Sequence, residues 1–137
     1  MSAMAKDYYK QGYSCSESII KFAIDKGYVP SELLPVATSF SGGMSSGCLC
    51  GAVAGSQIVI GCLYGKDEKD SNGQKARELA KKFIDEFKAK NKVTCCKALT
   101  VGLEFASPER KANCTRLVGE CEEILGSIVE TAKEAVL

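Results

Sequence analysis

The chain contains no histidine. That absence removes imidazole as a metal ligand, as a general base and as a partner in c-type haem attachment, so no haem is expected. No two cysteines have the C-x-x-C spacing, which excludes a thioredoxin-type active site and a locally encoded zinc ribbon. Charge is missing from Leu33 to Gly65, a run that raises the question of a membrane helix. Its most apolar part, 47–64, is interrupted by glycines and by Ser56 and Gln57, lacks flanking anchors and has no second hydrophobic segment to pair with. A buried helix is the better reading, and no membrane span is expected. Between Met1 and Gln11 there are Lys6, Asp7 and Lys10 but no apolar signal-peptide core, so a cytoplasmic location is expected. No segment sustains a two-residue alternation, and there is no internal repeat or low-complexity tract.

What is present fits one helical domain over 1–137. With 45% hydrophobic and 26% charged residues, the 137-residue chain can bury a core. The formal charge is +1, and its basic excess falls in 66–97 among interspersed acids. That is the pattern of a solvated helix face, so no nucleic-acid partner is expected.

Helical spacing recurs along the chain. Ser14 or Ser16 can cap a helix carrying Cys15, Ile19, Phe22 and Ala23 on one side, with Gly27 placed to end it. Asn72 can cap a second, where Ala76, Leu79, Ala80, Phe83, Ile84 and Phe87 form a stripe opposite Lys, Arg, Glu and Asp. Ser107-Pro108-Glu109 starts a third, with Cys114, Leu117, Val118, Cys121, Ile124, Leu125 and Ile128 on one face. Cys95 to Leu99 reads as a turn or short helix. The fold class predicted is all-α, a compact bundle of about five helices around a central apolar, glycine-rich helix. Gly51 and Gly55 lie four apart on that helix, where missing side chains let another helix approach closely.

Eight cysteines are the chemical content of this sequence. In a reducing cytosol they are not a disulfide framework, which leaves metal binding, redox cycling and plain burial. Cys15, Cys114 and Cys121 fall on apolar stripes, where a cysteine is first of all a small core side chain. If the central helix begins near Ser45 to Cys48, Cys50 lies in its first turn, where free N–H groups favour a thiolate. Cys48, two residues before Cys50, would point about 200° away on a helix, so sharing a ligand requires irregular backbone at Gly47. Cys62 reads as core filler. Adjacent Cys95 and Cys96 are too close for an unstrained disulfide but can clamp a soft metal, with Lys92 and Lys97 nearby.

The run Cys50-Gly51-Ala52-Val53-Ala54-Gly55 reads C-G-A-x-x-G, and with it stand Cys15 in Tyr13-Ser14-Cys15, the entry Phe40-Ser41-Gly42-Gly43-Met44, Cys96 in Cys96-Lys97-Ala98-Leu99, and Cys114 ahead of Leu117-Val118. This set resembles the C-GC-A-x-x-G-C-C family of redox-active proteins over nearly the whole chain. The resemblance implies that Cys15, Cys50, Cys96 and Cys114 form the site, with Cys121 as an alternative counterpart for Cys114. It also implies a link to transport, since such proteins are often encoded beside transporters. The expectation is a thiol oxidoreductase in which Cys50 reacts and Cys15, Cys96 or Cys114 resolves. The alternative is a thiolate site for zinc, a soft metal or metalloid, or an iron–sulfur cluster, built from Cys15, Cys50, Cys95, Cys96 and Cys114. A third reading takes the thiols as filler of an interaction module. The redox partner, the ligand and the oligomeric state are left open.

Overall fold

The structure, a computed structural model, describes residues 4–66, 68 and 73–136. Among them seven α-helices and no strands are formed: α1 (Ala5–Gln11), α2 (Cys15–Asp25), α3 (Leu34–Thr38), α4 (Gly51–Tyr64), α5 (Gln74–Asn91), α6 (Cys96–Leu99) and α7 (Pro108–Val136). The all-α class holds. The count exceeds five because α1 and α3 are too short to show a periodic stripe.

Local chemistry sets the ends of the longer helices. The Ser14 hydroxyl accepts from the Glu17 amide at 3.2 Å while the Glu17 carboxylate accepts from the Ser14 amide at 2.9 Å, a reciprocal cap that starts α2 at Cys15. Ser107 likewise accepts from the Arg110 amide at 3.1 Å ahead of Pro108. The expected cap of α5, Asn72, lies outside the described residues, and the helix starts at Gln74.

Helix α4 packs against α2, α5 and α7. From Gly51 through Ser56 every residue is buried, so this half needs no polar face. Its Val53, Val59 and Ile60 meet Ile19 and Ile20 of α2, Phe83 and Phe87 of α5, and Val118, Leu125 and Ile128 of α7 in one core. Each such side chain contributes about 1.5–3 kcal/mol by leaving water. The last turn emerges from this packing: Gly61 and Cys62 are exposed. Cys62 is therefore not core filler, because the neighbouring helices cover the first half of α4 and not its end. No helix of the described residues is long and apolar enough to cross a membrane.

Helix α1 is held by a buried carboxylate. Glu122 of α7 accepts a hydrogen bond from the Ala5 amide, and both residues are buried. This contact lays Tyr9 over the part of α7 that carries Cys114.

Candidate functional site

Cys15, Cys50, Cys96 and Cys114 line one small, partly open cavity of about 20 Å³, together with Gly51, Ala52, Leu99, Thr100 and Leu117. That is room for roughly one water molecule. Cys15 is the first residue of α2, Cys50 immediately precedes α4, Cys96 opens α6, and Cys114 lies in the second turn of α7. Four elements far apart in sequence thus each place one cysteine on the lining of this cavity.

The entry into α4 differs from the expected helical start. Gly42, Gly43, Met44 and Ser45 all have positive φ, as does Gly47. Two of these are not glycine, and a left-handed conformation costs such residues roughly 1–2 kcal/mol each. Gly43 must lack a side chain, because a Cβ there would come within 3.0 Å of the Cys48 carbonyl. After this turn the chain forms an isolated antiparallel bridge: Leu49 pairs with Cys95, the Cys50 amide donates to the Thr94 carbonyl at 2.8 Å, and the Cys96 amide donates to the Cys48 carbonyl at 2.5 Å. Cys50 therefore caps the helix rather than sitting in its first turn, and Cys96 is tied beside it.

Burial dominates the thiols' acidity. It pushes Cys50, only 6% exposed, up to about 12 against the opposing pull of the Val53 and Ala52 amides. It raises Cys15 too, although the Gly42 and Ser16 amides favour the thiolate. Cys96 is raised by burial and pulled back by the Arg110 guanidinium, whose Nη2 is 4.0 Å from its sulfur. The expectation of a thiolate at Cys50 is thus corrected: the helix-end groups act in the expected direction, but desolvation is larger. Cys121, fully buried behind the cavity, is raised well above the ordinary thiol range by its burial. Between the two α7 candidates, Cys114 lines the cavity and Cys121 does not.

The shift at Cys50 makes stability pH-dependent. Between the ordinary value of 9.0 and about 12 the unfolded chain loses this proton while the folded chain keeps it. The stabilisation is complete below pH 9 and is lost as pH rises through the folded value. Urea unfolding of wild type and Cys50→Ser across this range is expected to show a steeper alkaline decline for wild type; parallel curves would contradict the burial of this thiol.

Cys95 lies outside the cavity: its thiol is exposed and donates to the Gly47 carbonyl at 3.1 Å. The adjacent pair is divided, Cys96 inward and Cys95 outward, so it does not act as one clamp. Two further residues join the site that sequence reading did not select. Arg110 bridges from Cys96 to the Phe105 ring, 5.3 Å away, and Tyr9 has its phenol raised by burial and by the neighbouring Cys114 thiol. Neither stands in a motif, and only packing between α6, α7 and α1 reveals them.

A family model described as "Putative redox-active protein (C_GCAxxG_C_C)" matches residues 13–130. The chain belongs to this family. No curated protein and no solved structure matches it. The C_GCAxxG_C_C name places glycine before cysteine, whereas here the order is Cys50-Gly51. The site explains why this chain keeps glycine at 51: a Cβ there would run into the Cys15 sulfur and lie 3.0 Å from the Phe40 carbonyl.

Proposed function

We propose that this protein is a cytoplasmic thiol oxidoreductase in which two of the cavity thiols cycle between dithiol and disulfide. The observation that carries the reading is the meeting of Cys15, Cys50, Cys96 and Cys114 at a cavity the size of one water, within a redox-active family. Thiol–disulfide exchange requires an attacking thiolate with a partner in reach and needs no histidine. Cys96 suits attack best among the four, being half-buried with a guanidinium beside it. Cys50 suits the inner partner. Burial pushes its thiol up and disfavours its thiolate at neutral pH, so it resolves a disulfide begun elsewhere and is not the first nucleophile.

The alternative, a resident zinc, copper(I) or iron–sulfur centre, has the right soft donors in these thiols. The fit is poor: among the described residues no group of three or more Cys, Asp or Glu can hold a metal ion, and Cys95 points away. A cluster of several irons and sulfides also exceeds a cavity of about 20 Å³. The test is a thiol count on denatured protein after mild oxidation, beside elemental analysis of anaerobically purified material. The count is expected to fall by two and to recover with dithiothreitol, with no stoichiometric metal. An unchanged count together with bound metal would reverse the assignment.

A further inference from the structure

A cavity with room for about one water cannot take in a partner's disulfide, and Cys96 at its edge is only half-exposed, so a fully exposed thiol beside it is better placed for the first contact. The bridge beside the cavity supplies one. With Leu49 facing Cys95 and the Cys96 amide bonded to the Cys48 carbonyl, the register sets Cys48 opposite Cys96. In an antiparallel pairing the residues flanking a bridged pair project to the side opposite it, so the register assigns Cys48, Cys50 and Cys96 to one side of the bridge and Leu49 and Cys95 to the other. Along the shared side exposure falls in steps: Cys48 is exposed, Cys96 half-buried and Cys50 buried. The pair makes one of the two bonds of such a register, Cys96 amide to Cys48 carbonyl, while the Cys48 amide donates to Gly43; residues so opposed have Cα atoms on the order of 5.5 Å apart. A disulfide spans roughly 4.4–6.8 Å.

The geometry points to Cys48 as the entry thiol, the residue that takes up the disulfide of a partner and passes it across the bridge to Cys96. This inference rests on the redox reading of the cavity. Cys48 gives its proton to solvent and attacks one sulfur of a partner disulfide, forming a mixed disulfide and expelling the partner's other sulfur as a thiolate. The Cys96 thiolate then attacks the Cys48 sulfur, the Cys48–Cys96 disulfide forms, and the partner leaves as its second thiolate. A further cavity thiolate attacks the Cys96 sulfur and frees Cys48, which regains a proton. The partner disulfide has been reduced to two thiols and two cavity thiols have been oxidised to one disulfide. The substrate class is an accessible disulfide, on a protein or on a small molecule, that can approach a surface cysteine.

Oxidised glutathione serves as the probe, with acid quenching and mapping of linked peptides. Trypsin leaves Cys48, Cys50 and Cys62 on 27–66 and Cys95 and Cys96 on 93–97, so single residues are resolved by variants. In C50S/C62S/C95S a link between these peptides reports Cys48–Cys96; in C48S/C62S/C95S it reports Cys50–Cys96. The first link is expected to form. The single variant Cys48→Ser, at an exposed position, is expected to keep wild-type helicity and to slow cavity disulfide formation at least tenfold. A Cys48→Ser protein that oxidises its cavity at the wild-type rate would overturn the entry role while leaving the cavity reading intact. Absence of the Cys48–Cys96 link would overturn it as well. If no variant forms a cavity disulfide, the redox reading of the cavity falls, and the Cys48–Cys96 link still decides the entry thiol separately.

Discussion

Gly55→Leu is expected to lose at least about 3 kcal/mol of stability, at the upper end of overpacking costs, and to melt or fail to fold. The reason is the approach of α2 to α4. A Cβ at Gly55 would lie 2.9 Å from the Ser16 carbonyl oxygen and 3.3 Å from the Ser16 Cα and the Ile19 Cβ. The first two are backbone atoms, so relief requires moving a helix and not rotating a side chain. Helix propensity alone favours replacing a glycine by about 1 kcal/mol. Gly126 in α7 isolates that effect, because a Cβ there would meet nothing within 4 Å. Gly126→Ala is accordingly expected to stabilise while Gly55→Ala destabilises, the two being read by denaturant unfolding followed by far-ultraviolet circular dichroism. Equal stabilisation by both would remove the close helix seam from the account.

Cys96→Ser is expected to abolish disulfide formation in the cavity, by more than a hundredfold, with little change in unfolding. Cys96 is half-buried, and its amide, not its thiol, makes the bond to Cys48 that ties α6 to the strand-like entry of α4. Loss of the sulfur therefore removes chemistry and keeps the backbone tie. Arg110→Gln tests the electrostatic half of the same argument. Removing a cation beside a thiol disfavours the thiolate, so the pH midpoint for alkylation of Cys96 should move upward and its neutral-pH rate should fall several-fold. An unmoved midpoint would take Arg110 out of the site.

Much of the helical framework is legible where the sequence carries both a stripe and a cap. Ser14 with Glu17, and Ser107 with Pro108, mark the starts of α2 and α7 because their side chains satisfy amides the helix cannot. The start of α4 is not legible in this way. Leu33 to Gly65 has no charged landmark, and its glycines announce a turn without its hand. That Met44 and Ser45 adopt left-handed backbone depends on the contacts of the folded loop, not on their own preferences. The helix start also decides Cys48: on a helix it would diverge from Cys50, whereas the irregular backbone through Gly47 and the bridge at Leu49 set the two on one side. Composition likewise suggested burial for Cys62, but composition does not say where a neighbouring helix ends.

The cysteine set was readable by resemblance and by stripes, and its meeting point was not. Cys15 and Cys114 face inward by helical spacing, yet their approach to Cys50 and Cys96 depends on how α2, α4, α6 and α7 cross. The acidity of Cys50 shows the same limit. Sequence places it at a helix start, which lowers a thiol's pKa, while the depth of its burial, which raises it further, exists only in the fold.

The central claim, that the cavity thiols exchange with one another, is tested most directly in the C48S/C62S/C95S variant. Trypsin leaves each of its remaining cysteines on a separate peptide. After oxidation carried to its end point, long enough for the slower entry without Cys48, and blocking of free thiols, mass mapping is predicted to show one linked pair containing Cys96 and one of Cys15, Cys50 or Cys114, reversed by dithiothreitol, with Cys121 free. A map in which no peptide is linked, and all are alkylated as they were before oxidation, would contradict the account.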